Sequence, residues 1–164
     1  MSRFLLMGNS GSGKSTLAAR LAKRDGLEHL DLDVLAWEPG TPPRRRALEQ
    51  SRREIAAFIE EHPAWVIEGC YADLLEACLP RCTRLVFLNP GIEACESNAR
   101  LRPWEPHKYP SKEAQDANLA MLLGWIRDYE KRADVFSLKA HRTLFDAFTG
   151  AKSELESLQR ISAF

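Results

Sequence analysis

Residues 8–15 read Gly-Asn-Ser-Gly-Ser-Gly-Lys-Ser and follow directly on a short apolar strand, Arg3 to Met7. Gly8, Gly13, Lys14 and Ser15 meet the pattern GxxxxGK[ST], with Gly11 as a further glycine inside it. A loop that wraps a phosphate must turn its backbone N–H groups inward, and glycines permit both the turn and the close approach. The helix that begins at the end of such a loop adds the positive end of its dipole. Lys14 can then reach the β- and γ-phosphates, and the Ser15 hydroxyl can ligate magnesium. A Gly/Ser-rich connector that matches by chance is the weaker reading, because strand, loop and helix fall in the required order. The expected nucleotide contacts are Gly8, Asn9, Ser10, Gly11, Ser12, Gly13, Lys14, Ser15 and Thr16, with ATP and Mg2+ as cofactors. Lys14 ends a loop and is expected at the surface, outside the core.

Strands and helices alternate along the rest of the chain. Thr16 to Arg24 reads as a helix closed by Gly26 as a C-cap. Glu28 to Leu32 is a second strand, and Trp37 to Pro43 a proline-rich loop. A long helix is predicted from about Arg44 to Glu61, ended by Pro63. Strands at Trp65 to Ile67 and Arg84 to Leu88 flank a helix at Ala72 to Leu79. Ile92 to Arg100 is helical, and Arg102 to Pro110, with Pro103, Pro106 and Pro110, reads as an exposed loop. Ser111 can N-cap a helix carrying the stripe Leu119, Leu122, Leu123 and Ile126, and Ser137 another that ends at Gly150. A weak strand is expected near Lys152 to Leu155. Alternation of this kind predicts an α/β fold with a parallel sheet covered on both faces.

The 164 residues fit a single domain of ordinary size, spanning 1–164. Lysine plus arginine equals aspartate plus glutamate at 23 each, which argues against general nucleic-acid binding. The longest apolar run, Leu119 to Ile126, is too short to span a bilayer, and no leader precedes the first strand. Cys70, Cys78, Cys82 and Cys95 have neither paired spacing nor a histidine at ligand distance, so reduced thiols are expected over structural zinc. These features point to the cytoplasm; oligomeric state is not encoded in them.

No Asn-Lys-x-Asp marks a guanine-specific GTPase. No apolar strand ends in aspartate as in transporter-type ATPases: Leu85–Leu88 leads into Asn89 and Trp65–Ile67 into Glu68. The segments Asp33-Val-Leu-Ala-Trp-Glu-Pro-Gly40 and Trp65-Val-Ile-Glu-Gly-Cys-Tyr71 instead resemble P-loop proteins described as "DNA topology modulation" proteins. These are similar in turn to adenylate, shikimate and gluconate kinases. The resemblance covers roughly residues 1–105. It implies a three-layer P-loop NTPase fold with a five-stranded parallel sheet of order 2-3-1-4-5. It also implies a substrate-binding helical segment at 37–63 and a lid at 100–112.

Asp31 and Asp33 resemble the Asp-x-Asp of shikimate kinases. That resemblance makes Asp31 an outer magnesium partner and Asp33 the group that orients or deprotonates the acceptor hydroxyl. A solvated turn at the strand end is the competing reading. Glu68 stands where it can hold magnesium waters, and Gly69 where a substrate could approach the backbone. Arg102-Pro103 resembles the Arg-Pro of shikimate-kinase lids, which gives Arg102 a catalytic role and Arg100 a contact to the nucleotide.

The apolar stripe Leu48, Ile55, Phe58 and Ile59 sorts the arginines of the long helix. Arg46 and Arg53 fall on the opposite, solvated face. Arg44 and Arg52 fall on or beside the stripe, where an anionic substrate can be gripped in two places. Arg127 and Arg132 are weaker candidates. His141 reads as a satisfied core histidine, whereas His29, His62 and His107 lack a supporting constellation. Trp37 and Tyr71 read as core aromatics before acceptor-pocket walls. The leading function is ATP- and Mg-dependent phosphoryl transfer to a small-molecule acceptor, a nucleotide, shikimate-like compound or sugar acid. The alternative is a nucleotide-binding regulator with slow or no hydrolysis.

Overall fold

A computed structural model describes residues 1–164. Five strands alternate with helices: β1 (Arg3–Gly8), β2 (Glu28–Asp31), β3 (Trp65–Gly69), β4 (Arg84–Leu88) and β5 (Ala151–Leu155). They form one parallel sheet in the order β2-β3-β1-β4-β5, the order that the kinase resemblance implied. Every crossover between parallel strands must run over a face of the sheet, so both faces are covered and the central strands β1, β3 and β4 are largely apolar, while the edge strands β2 and β5 are mostly polar.

The pleat divides those strands between two cores. Leu5, Met7, Trp65, Ile67, Leu85 and Phe87 point to one face, packed by α3 (Leu48–Glu61), α4 (Ala72–Cys78) and α8 (Leu138–Ala147). Phe4, Leu6, Val66, Val86 and Leu88 point to the other, where α1 (Lys14–Asp25) and α9 (Leu158–Ala163) supply Leu17, Ala18, Leu21 and Ile161. A third cluster joins Cys95 and Ala99 of α5 (Ile92–Leu101) to Leu123 and Ile126 of α7 (Leu119–Arg127). All five strands point the same way, so the phosphate loop, Asp31 and Glu68 emerge together at their carboxyl ends. Asp31 lies directly beside Glu68 in the β2–β3 register.

Local signals act as expected at several places. Gly26 takes the left-handed conformation that ends α1, with φ 65°. The Ser111 and Ser137 hydroxyls accept hydrogen bonds from the N–H groups of Ala114 and Ala140, capping α6 (Lys112–Ala117) and α8.

The start of the long helix differs from expectation. It begins at Leu48, because the backbone of residues 44–46 folds back instead onto residues 36–38. Glu38 N–H donates to the Arg44 carbonyl, Arg46 N–H to that of Ala36, and Trp37 bridges Arg45 in antiparallel fashion. The expected placement of Arg44 on the helix stripe is thereby corrected. Arg46 is not solvated but pairs with Glu54 at 2.9 Å. The helix after the proline-rich loop is two helices, α6 and α7, divided at Asn118, and α8 stops at Ala147 rather than Gly150. Two short helices, α2 (Asp33–Ala36) and α9, had no periodicity long enough to announce them. No helix is long and apolar enough to cross a membrane.

Candidate active site

The phosphate loop is fixed by contacts that only glycine allows. A Cβ on Gly8 would lie 2.4 Å from the Leu88 carbonyl oxygen, and one on Gly11 2.4 Å from that of Cys95. The loop therefore sits hard against the ends of β4 and α5. Asn9 is buried, and its side chain donates to the Ile126 carbonyl at 3.2 Å, tying the loop to α7. Asn98 donates to the Gly11 carbonyl at 2.8 Å.

Lys14 is only 9% exposed, which corrects its expected surface position. Its ammonium curls back over the loop and donates to the Asn9 carbonyl at 2.8 Å. That bond partners the buried cation, which would otherwise be costly. Ser15 is exposed at the mouth, and its hydroxyl donates to Glu68 Oε1 at 2.7 Å. Glu68 is 2% exposed, a buried carboxylate without a buried cation against it. Its other neighbour is His29 Nε2 at 3.3 Å, so His29 does have a constellation, which the sequence reading denied it.

Ser15, Glu68 and Asp31 present hard oxygen donors of the kind magnesium takes. The chain has no cluster of three or more His, Cys, Asp or Glu side chains arranged as an all-protein metal cage.

Asp33 lies beyond the phosphate loop, at the start of α2. Its backbone N–H donates to Asp31 Oδ1 at 2.9 Å, and its Oδ1 accepts from the Tyr71 hydroxyl at 2.5 Å. Tyr71 in turn accepts from Trp37 Nε1 at 2.8 Å. An indole N–H can only donate, so the direction of this chain is fixed and the Tyr71 proton belongs to Asp33. Asp33 Oδ1 is thus committed, and Oδ2 carries the free valence. Lys108 occupies it at 2.8 Å, with Asp31 Oδ2 3.6 Å and Glu105 Oε1 3.8 Å from the same ammonium.

These neighbours separate the two aspartates electrostatically. Burial, followed by the charges of Asp33 and Glu68, raises Asp31 to about 6 despite Lys108. Burial also opposes ionisation of Asp33, but the Lys108 ammonium and the Tyr71 hydrogen bond outweigh it and hold that carboxyl below its usual range. Burial lowers Lys108, and Asp33 and Asp31 more than reverse it, so the ammonium is held firmly protonated. Tyr71 is pushed far up by burial and by the neighbouring Cys70 and Asp33, and it stays a donor.

Arg45, which the stripe analysis passed over, supports this arrangement. Its guanidinium reaches both oxygens of Asp73 at 3.1 and 3.2 Å and lies 5.0 Å from the Tyr71 ring centre. Trp37 and Phe136 lie at 5.9 and 5.5 Å from the same group. Nothing in its sequence neighbours distinguishes Arg45 from Arg44 or Arg46; the difference arises from the fold-back of residues 36–46. Trp37 and Tyr71, read first as core, pack as core and hold Asp33 as well.

The remaining candidates disperse. Arg44 is exposed and Arg52 half-buried, and neither side chain has a hydrogen bond or ion pair. The missing side chain of Gly69 answers to packing: a Cβ there would lie 2.9 Å from that of Leu32. Arg102 borders the cavity over the phosphate loop and faces Glu105 at 3.5 Å. Arg100 is exposed and lines a smaller neighbouring pocket rather than this cavity. Arg127 pairs with Glu96, and Arg132 lies 3.6 Å over the Trp125 ring. His141 is fully buried between Tyr129 and the Cys70 carbonyl, as a satisfied core histidine.

The cavity measures about 510 Å³. Residues 11–17 form its floor, Leu101, Arg102 and Pro103 one wall, and Leu158, Ile161 and Ser162 of α9 the other. Thr16 and Lys108 also border it, whereas Gly8, Asn9 and Ser10 lie behind the floor.

A family model described as "AAA domain" matches residues 4–128. The chain belongs to that AAA-domain family. The match runs from β1 through the phosphate loop, the aspartate pair and the proline-rich loop to the end of α7. Among solved structures, this AAA-domain chain is similar to an unliganded sugar kinase from Janibacter sp. HTCC2649, with 18% identity and a TM-score of 0.53. That alignment covers 99% of this chain and 92% of the other. A gluconokinase from Sinorhizobium meliloti 1021 matches at 17% identity and a TM-score of 0.54, covering 99% of this chain and 86% of that one. The shikimate kinase of Bacteroides thetaiotaomicron matches at 19% identity and 0.53, covering 99% and 93%. At such identities the likeness establishes the fold, that of P-loop small-molecule kinases. No curated protein matches the sequence.

Proposed function

We propose that this AAA-domain protein is an ATP- and Mg-dependent kinase that phosphorylates a small-molecule hydroxyl. The observation that carries the reading is the adjacency of two sites. Lys108 borders the phosphate-loop cavity, and its ammonium rests on Oδ2 of Asp33, a carboxylate held ionised and pinned through its other oxygen by Tyr71. A slow regulatory nucleotide switch has no need of a fixed carboxylate next to the terminal phosphate.

The nucleotide lies with its phosphates on residues 11–16 and its base between Leu101 and Leu158, two exposed apolar side chains at 80% and 41% that face the cavity. Lys14 leaves the Asn9 carbonyl for the phosphates. Magnesium, when bound, neutralises phosphate charge; Ser15 would ligate it, with Glu68 and Asp31 holding its waters. Asp33 Oδ2 accepts the proton of the acceptor hydroxyl, and Lys108 and Arg102 bring positive charge from the 102–110 lid to the migrating group. Within the 37–63 segment Trp37 and Arg45 brace this cluster, whereas Arg52 stands outside it and serves the distal part of the acceptor.

ADP release measured over a panel of sugars, sugar acids, shikimate-like compounds and nucleoside monophosphates tests the reading. Acceptor-dependent ADP formation supports it. Tight nucleotide binding with no acceptor-dependent turnover over the whole panel favours the regulatory alternative.

A further inference from the structure

Lys108 belongs to two places at once. It borders the phosphate-loop cavity together with Lys14 and Ser15, and its ammonium rests on Asp33 Oδ2 at 2.8 Å. While it stays there, the ammonium occupies Asp33 Oδ2 and competes with an acceptor hydroxyl for it. The pair is partly exposed, Lys108 at 23% and Asp33 at 35%, so water screens it and lets it open. It is also reversible. Residues 102–110 contain no helix or strand; the backbone N–H groups of Lys108 and Tyr109 donate to the Glu105 carbonyl, that of Glu105 donates to Gln115 Oε1 at 2.8 Å, and Gln115 Nε2 donates to the Pro103 carbonyl at 3.0 Å. A lysine stem has four flexible carbons, so its ammonium can pivot with little backbone movement.

A bound nucleoside triphosphate brings a second anion within the same cavity. Its terminal phosphate carries more charge than a carboxylate and offers several acceptor oxygens, so it competes for an ammonium with three donors. A diphosphate ends one group earlier and leaves the position next to Asp33 without that charge.

We propose that Lys108 is a shared cation that rests on Asp33 and passes to the terminal phosphate of a bound nucleoside triphosphate, uncovering Asp33 for the acceptor. This inference rests on the nucleotide reading above and adds an order to it: the triphosphate binds first, and a diphosphate leaves the acceptor carboxylate covered. Arg102, already facing Glu105, does not have this double position, since it makes no contact with Asp33 or Asp31.

The test is a double-mutant cycle on nucleotide affinity, which needs no acceptor. Binding of adenylyl imidodiphosphate (a non-hydrolysable ATP analogue) and of ADP, both with Mg2+, is measured by calorimetry. The proteins are wild type, Lys108→Met, Asp33→Asn and the double variant, each checked for an unchanged melting transition; Lys108→Gln replaces Lys108→Met should the latter not fold. Lys108→Met is expected to weaken the triphosphate analogue at least tenfold and ADP less than twofold. Asp33→Asn is expected to strengthen the analogue at least threefold, because it releases Lys108, and to do so only where Lys108 is present. A gain that persists in the double variant would mean simple relief of charge repulsion and overturns the proposal. Equal losses for both nucleotides in Lys108→Met overturn it too. Wild-type binding of both nucleotides with no dependence on Lys108 removes the shared cation alone, whereas no wild-type binding of either removes the nucleotide reading beneath it.

Discussion

The Ser15 hydroxyl and the Glu68 carboxylate meet at 2.7 Å across 53 residues of sequence, joining the end of the phosphate loop to the end of β3. The contact places a buried carboxylate behind the hydroxyl that would ligate magnesium. Ser15→Ala is therefore expected to weaken Mg-ATP binding about tenfold, roughly 1.4 kcal/mol, and to leave ATP binding in EDTA nearly unchanged. Calorimetry with and without Mg2+ decides this, and an equal loss in both conditions would remove Ser15 from the metal site.

Lys14→Ala should abolish tight nucleotide binding, but it is not neutral for folding. The buried ammonium bonds the Asn9 carbonyl and helps hold the loop. Loss of that bond should cost about 1–2 kcal/mol, which for a chain of this size lowers Tm by a few degrees. A variant with wild-type Tm would show that the loop keeps its shape without Lys14.

Asp33→Asn keeps the Tyr71 hydrogen bond and removes the negative charge. Acceptor-dependent turnover should fall at least tenfold, about 1.4 kcal/mol of barrier, while nucleotide affinity is not reduced. If nucleotide affinity collapsed instead, Asp33 would belong to the magnesium site and not to the acceptor.

Acid should unfold the protein partly through His141. Burial first, against the hydrogen bond to the Cys70 carbonyl, lowers this imidazole from 6.5 to about 4. A folded-state pKa below the unfolded one means that the unfolded chain binds the extra proton. The stabilisation is complete above pH 6.5 and is lost as pH falls towards 4, by about 3 kcal/mol for a shift of that size. Asp31, raised to about 6, has the opposite sign, its contribution being lost as pH rises from about 4 to 6. Comparing urea unfolding of wild type and His141→Gln between pH 4 and 7 isolates the histidine. Parallel profiles would show that His141 does not set the acid limb.

Arg45→Met should destabilise the chain by about 1–3 kcal/mol by leaving Asp73 without its partner and removing the cation over the aromatic group. Because the same guanidinium braces Tyr71, acceptor-dependent turnover should fall as well. Arg44→Met, the neighbouring exposed residue, should change neither Tm nor turnover.

Some of this molecule was settled locally, by side chains acting on their own backbone. Gly8 to Ser15 specify a phosphate loop because glycine spacing governs which backbone conformations can enclose an anion. Ser111 and Ser137 mark helix starts because their hydroxyls bond an N–H three residues on, and the alternation of strands with helices declares a parallel sheet covered on both faces. His141 was legible as core from its place one turn before Leu144 and Phe145. What the tertiary structure decided depends on where separate loops come to rest. Lys14 is buried rather than exposed because the loop closes over it, and the helix expected from Arg44 starts at Leu48 because residues 44–46 bond back to 36–38. That fold-back gives Arg45 its partners and leaves Arg44 with none, though the three arginines are equivalent in sequence. Lys108 on Asp33, Tyr71 on Asp33 and His29 on Glu68 are contacts between segments with no shared periodicity. Hydrogen bonds and ion pairs act over about 3 Å, and no sequence pattern measures a distance across folded loops.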